Sequence, residues 1–273
     1  MTNGQVAGSC GAQSGGLLAG KIIIVTGGSR GIGRAIALRL AQEGGKLVLA
    51  ARDPAALAKV VAEIETAGGA ATSFAADLRA TETAAALVDA ALKAYGAIDI
   101  VVNNAGATRR GDFFELTDSD WTDGFALKFF GAVRLTRAAW PHLKKQHGAV
   151  LNIIGVGGRT PGAEFTIGGS VNGACMSFTK ALADIGVRDG VQVNAINPGY
   201  IRTERLRALL ASQAAQHGGD IDATIQQVVR KSNVVRLGEP EDVANLAAFV
   251  LSPQSRYLQG ALIDLDGGLT KTV

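Results

Sequence analysis

Short runs of β-branched and other apolar residues alternate along this chain with longer stretches whose apolar positions recur every three or four residues. The first run, Ile22 to Val25, passes through a glycine cluster into RAIALRLAQE, Arg34 to Glu43, which has helical spacing. This pattern predicts strand, glycine turn, helix. It continues with a strand from Lys46 toward Arg52 and a helix opened by Asp53 as N-cap, with Pro54 at its first position. Next come a strand from Ala70 to Ala76, a helix from Thr81 to Tyr95, a strand from Ile98 to Asn103 and a long helix from about Ser119 to Lys145. A strand from Ala149 to Ile154, a helix from Gly168 to Val187 and a strand from Val191 to Ile196 follow. A polar helical insertion from Thr203 to about Val229, a helix from Pro240 to Leu251 and a strand from Ala261 to Leu265 close the chain. Strands alternating with helices imply right-handed crossovers, hence an α/β fold with a single doubly wound parallel sheet flanked by helices. Residues 1–20, rich in Gly, Ser and Ala, are expected to form a flexible extension, and residues 21–273 one domain.

In such a sheet ligands bind beyond the carboxyl ends of the strands. After the first strand, Gly27, Gly31 and Gly33 remove side chains where the backbone turns, where a ligand approaches and where helix meets strand. Ser29, Arg30 and Ile32 complete the turn, and the helix N-terminus behind it suits a pyrophosphate. The second strand ends on Ala51-Arg52, where NAD-binding folds often place an acid for the ribose. With no acid there, and with Arg30 nearby in sequence, a 2′-phosphate has two cationic partners, so NADP(H) is favoured over NAD(H). Asp77, followed by Leu78, stands after the third strand, either to accept from an adenine amino group or to cap the next turn. Asn103-Asn104-Ala105-Gly106 follows the fourth strand, where small and amide residues suit a backbone approached by a flat ligand while the amides tie neighbouring strands together, and Asn197-Pro198-Gly199 follows the sixth.

Composition removes several other classes. A formal charge of +3 over 273 residues, with both signs interspersed, does not suggest a nucleic acid partner. No apolar run is long enough to cross a bilayer, and no leader pattern opens the chain, so a cytoplasmic protein with no membrane partner is expected. Cys10 and Cys175 are too few for a disulfide framework, and His142, His147 and His217 have no clustered acids or cysteines, so no metal site is expected.

The segments TGGSRGIG from Thr26 to Gly33, Asp77, NNAG from Asn103 to Gly106, NPG from Asn197 to Gly199 with Thr203 beyond it, and LDGG from Leu265 to Gly268 resemble the short-chain dehydrogenase/reductase family. The resemblance covers roughly Lys21 to the C-terminus. It implies a Rossmann-type domain, commonly a homotetramer, that moves hydride between a nicotinamide and a carbonyl or alcohol of a small-molecule substrate. Gly27, Ser29, Arg30, Gly31, Ile32, Gly33, Arg52, Asp77, Leu78, Asn103, Asn104, Ala105 and Gly106 would then line the adenosine and phosphate path. Pro198, Gly199, Ile201 and Thr203 would lie along the nicotinamide.

Catalysis in the family relies on a serine after the fifth strand, a tyrosine and, four residues on, a lysine on the next helix, with an asparagine on the preceding helix. Anchored on SFTKALA from Ser177 to Ala183 and on the strand ending at Gly155, those positions fall on Gly155, Gly168, Asn172 and Lys128. No Tyr-x-x-x-Lys occurs anywhere in the chain. Two readings follow. Either the site is rebuilt around Lys128, with Tyr200 as a second proton donor and Asn172 touching the nicotinamide ribose, or the chain is a catalytically silent NADP(H) sensor or scaffold. Arg109-Arg110 and Arg159 with Glu164 border the expected cleft and could bind an acidic substrate, while the segment from Arg202 into Leu210 reads as a lid that sets specificity.

Overall fold

The computed structural model describes residues 16–216 and 219–272. Seven strands form one parallel sheet: β1 Ile22–Thr26, β2 Lys46–Ala51, β3 Ala70–Ala75, β4 Ile100–Asn103, β5 Ala149–Ile153, β6 Gln192–Pro198 and β7 Leu262–Leu265. Their order is β3-β2-β1-β4-β5-β6-β7, every neighbour parallel, so the direction of winding reverses between β1 and β4. Ligand sites of doubly wound sheets form at that reversal.

Alternation along the strands sorts the core into two layers, because successive side chains leave opposite faces. On β1, Ile23 and Val25 join one apolar cluster and Ile24 the other, while on β2 Leu47 and Leu49 part from Val48 and Ala50 in the same way. Helices α1 Gly31–Gln42, α2 Pro54–Thr66 and α9 Pro240–Leu251 cover the first face. The second is covered by α3 Thr83–Tyr95, α5 Gly131–Gln146 and α6 Thr166–Asp189. Asp53 caps α2 as its sequence predicts, its carboxylate accepting from the N–H groups of Ala55 and Ala56 at 3.0 Å each.

Three elements differ from their sequence readings. Within the span expected as a flexible extension, Leu18 is buried and the N–H groups of Leu17, Leu18 and Gly20 donate to Glu43 and Gly44; residues 1–15, with Cys10, lie outside the described residues. An apolar side chain flanked by glycines had a pocket to fill at the end of α1. The long helix is α4 Asp118–Phe125 joined to α5 by a π-helical turn, Ala126–Phe130, which carries Lys128. The insertion is two helices, α7 Glu204–Gln216 and α8 Ile221–Ser232, and His217 lies outside the described residues. No helix among the described residues is long and apolar enough to cross a membrane.

Candidate active site

The cleft at the reversal is tied together by Thr26. Its hydroxyl accepts from the N–H groups of Asn104 (2.9 Å) and Ala105 (3.0 Å) and donates to Val102 O (3.2 Å), so the end of β1 fixes the loop after β4. Asn104 returns the tie, its amide donating to the carbonyls of Thr26 (2.9 Å) and Gly27 (3.3 Å). Gly27 holds φ +66°, and a Cβ on Gly33 would overlap Gly27 O and the Asn104 amide, so the first turn of α1 packs directly on the turn. A side chain there would push the first turn of α1 away from the glycine turn. Thr203 lies opposite, with its Cγ2 3.4 Å from where a Cβ of Gly31 would be. The turn and the segment after β6 therefore face each other, with Pro198 closing β6, Gly199 N donating to Leu265 O (3.0 Å) and Ile201 bridging to Gly238.

Arg30 is exposed, with only Glu204 near it at 3.9 Å, and Arg52 is exposed without an ion pair among the described residues. Asp77 adopts the capping alternative. Its carboxylate accepts from the backbone N–H of Arg79 (3.0 Å) and pairs with that guanidinium (3.2 Å), and the backbone hydrogen bond above all holds its pKa below the ordinary value. Leu78 is buried beside Ala105 and Leu127. Asn103, expected along the nucleotide, instead turns into the core. Its amide donates to Thr136 (3.0 Å) and Asn152 (2.9 Å), and Asn152 donates to Thr179 (2.9 Å), a buried chain that locks β4 and β5 to α5 and α6.

At the end of β5 the structure brings Lys128, Asn172 and Gly155 together. Lys128, half-buried, crosses Gly106 and donates its ammonium to Ile154 O and to Asn172 Oδ1, the latter at 2.7 Å. The π-helical turn offsets the helix at Lys128, a distortion frequent at functional sites. Burial pushes the Lys128 pKa down from 10.5 to about 8, with the charge of Arg205 adding to the effect and Cys175 opposing it. The Asn172 amide nitrogen lies 3.2 Å from where a Cβ of Gly155 would be, so a side chain at 155 would crowd the same centre. Position 168 is occupied differently: a Cβ on Gly168 would overlap the ring of Phe165, which takes the space a larger residue would need. Sequence reasoning missed this ring, although an aromatic three residues ahead of an unexpected glycine was the available signal.

Tyr200 is not drawn into this cluster. Its carbonyl accepts from Gly238 N (2.9 Å), but among the described residues its hydroxyl makes no hydrogen bond with Lys128 or Asn172. Arg159 pairs with Asp264 at 3.0 Å and Arg109 with Asp120 at 3.0 Å, which engages both. Arg205, also missed, reaches from α7 to the carbonyls of Gly106 (3.4 Å) and Thr108 (3.0 Å), linking the lid to the loop after β4.

The family model for enoyl-(acyl carrier protein) reductase matches residues 27–270. The short-chain reductase protein NovJ of Streptomyces niveus is 35% identical over 248 residues, covering 90% of this chain and 93% of that protein. The structure of L-sorbose reductase from Gluconobacter frateurii, complexed with NADPH and L-sorbose, superposes with a TM-score of 0.90 at 32% identity, over 94% of this chain and 98% of that one. A 7α-hydroxysteroid dehydrogenase complexed with NADH and 7-oxo glycochenodeoxycholic acid gives 0.85 at 28% identity, over 92% and 94%. The family model and these relatives cover nearly the whole chain, which belongs to the short-chain dehydrogenase/reductase family.

Proposed function

We propose that this oxidoreductase uses NADP(H) and a rebuilt proton-transfer site centred on Lys128 to interconvert a carbonyl and an alcohol. The carrying observation is the Lys128–Asn172 pair at 2.7 Å. Those positions would hold asparagine and lysine in the pattern the chain resembles; here the two residue types have changed places, so the ammonium stays beside the end of β5.

The cradle around Gly27, Gly33 and Asn104 fits a dinucleotide, which Gly31, Thr203 and Pro198 would flank, with Arg30 and Arg52 available to a 2′-phosphate. When bound, the nicotinamide supplies or accepts the hydride. An ammonium has three donors, and Ile154 O and Asn172 Oδ1 take two, leaving one for a substrate oxygen. With a pKa of about 8, Lys128 is mostly protonated at neutral pH yet acidic enough to give up its proton to a nascent alkoxide. Asn172 orients the amine, and the glycines at 155 and 168 contribute no proton. The NADPH complex of the sorbose reductase supports the cofactor preference, the NADH complex of the steroid dehydrogenase shows that similar proteins differ in it, and Arg30 and Arg52 are the residues proposed to decide it in this chain. A homo-oligomer, dimer or tetramer, is expected from the family and is read by light scattering.

The test is NADPH titration followed by a carbonyl screen with wild type and Lys128→Met. Tight NADPH binding with turnover that falls about 10²-fold or more in the variant is expected. Turnover that survives the change overturns the Lys128 assignment. NADPH binding with no turnover of any carbonyl leaves the sensor reading, and no binding leaves a scaffold.

A further inference from the structure

Around Lys128 stand cations without acids. Arg110 lies with its guanidinium 4.0 Å from the centre of the Phe165 ring, the ring that fills the space at Gly168. Arg205 spends its hydrogen bonds on the carbonyls of Gly106 and Thr108, and the stem of Lys128 passes Gly106. Among the described residues none of these three has a carboxylate within ion-pair distance, although neighbouring Arg109, Arg159 and Arg30 each have one within 4.0 Å. Burial first, then repulsion from Arg110 and Arg30, lowers the Arg205 pKa, and Arg205 in turn lowers that of Lys128, so the groups sense one another. Like charges brought together on three separate elements, with no acid supplied, carry a standing repulsion that an incoming anion relieves.

We propose that Arg110 and Arg205 form an anion subsite beside Lys128, and that the substrate carries a carboxylate or phosphate that these guanidiniums bind while its carbonyl faces the ammonium. This rests on the oxidoreductase reading above for the identity of the substrate, but the anion site itself is testable without turnover. Arg110 rests over the Phe165 ring with its N–H donors free of carboxylates among the described residues, and Arg205 sits at the start of α7, so an anion taken there also draws α7 toward the loop after β4. Arg30 lies within the field of these cations, so NADPH titrations run beside the anion titrations separate a substrate anion from a cofactor phosphate.

The probes are benzoylformate and its neutral methyl ester, titrated calorimetrically into the full chain with and without saturating NADP⁺, alongside NADPH titrations. The acid is expected to bind at least about tenfold more tightly than the ester. In Arg110→Leu/Arg205→Leu that preference disappears while the NADPH dissociation constant stays within about twofold, and Arg110→Lys/Arg205→Lys keeps part of the preference. Equal affinity for acid and ester in the wild type, or no binding of either, overturns the proposal. So does a double variant that weakens NADPH and keeps the acid preference, which would assign the cations to the cofactor. An acid preference in a protein that never oxidises NADPH upholds the anion site and sinks the enzymatic reading instead.

Discussion

Replacing Lys128 by methionine keeps the length and apolar stem of the side chain and removes its charge, which makes the cost of burying that charge measurable. The pKa of Lys128 falls from 10.5 to about 8, chiefly by burial, so the unfolded chain holds this proton more tightly than the folded one. For a group whose folded pKa is depressed in this way, stability rises with pH between the two values, because the unfolded state there binds more protons. A shift of that size makes the charged folded form about 3 kcal/mol less favourable than an unperturbed lysine at neutral pH. Integrating the two titrations, wild type gains about 1 kcal/mol of stability from this group between pH 7 and pH 9. Burial raises the pKa of the Cys175 thiol, an effect that the charge of Lys128 opposes.

The variant also leaves Ile154 O and Asn172 Oδ1 without their donor, a loss of about 1–3 kcal/mol that does not depend on pH over this range. The decisive quantity is therefore the slope. Urea denaturation of both proteins at pH 7, 8 and 9 is expected to show the wild-type advantage growing, or its deficit shrinking, by about 1 kcal/mol as pH rises. Parallel curves would refute the reasoning, since they would mean that the amine is solvated in the folded state.

Thr26→Val removes one acceptor and one donor at the β1–β4 junction and leaves the N–H groups of Asn104 and Ala105 unpaired; a loss of about 2–3 kcal/mol in denaturant midpoints, with weaker NADPH binding, is expected. Gly168→Ala pits the helix preference for alanine, about 1 kcal/mol, against collision with Phe165, and overpacking wins by about 1–2 kcal/mol. In a Phe165→Ala background the sign of the same change is expected to reverse, and thermal melts of the four proteins check it. Arg30→Ser/Arg52→Ser is expected to weaken NADPH at least about tenfold and NADH by no more than about twofold, read by nicotinamide fluorescence; equal losses for both would exclude a 2′-phosphate contact.

The strands, the crossovers and the glycine turn were legible because each rests on local chemistry: β-branched runs, a 3.6-residue period and glycines where no Cβ fits. The amides of Asn103 and Asn104 were legible as ties between strands, but not which of them turns inward, because adjacent asparagines at a strand end look alike until alternation sends one into the core and leaves the other at the cleft. Asp77 carried two readings in the sequence, and the nearby Arg79 decides for the cap. Arg205 and Phe165 stayed hidden for a different reason. Their meaning comes from what they touch across the cleft, Gly106, Thr108 and Gly168, and no spacing along the chain records that.

The departures at the end of β5 are better understood together than singly. A lysine lost from α6 alone would remove the charge, and one gained at position 128 alone would set two ammoniums in one small volume. Here position 172 carries an amide whose oxygen accepts from Lys128 at 2.7 Å, and the glycine at 155 leaves that amide room. Phe165 then fills what the glycine at 168 vacates, and Arg110 covers the ring. The ammonium thus has two acceptors, and the space beside Gly168 is filled by a ring. On the proposed reading Lys128 is the proton donor beside the cleft, and the pH slope of Lys128→Met tests whether its amine is buried as that role requires.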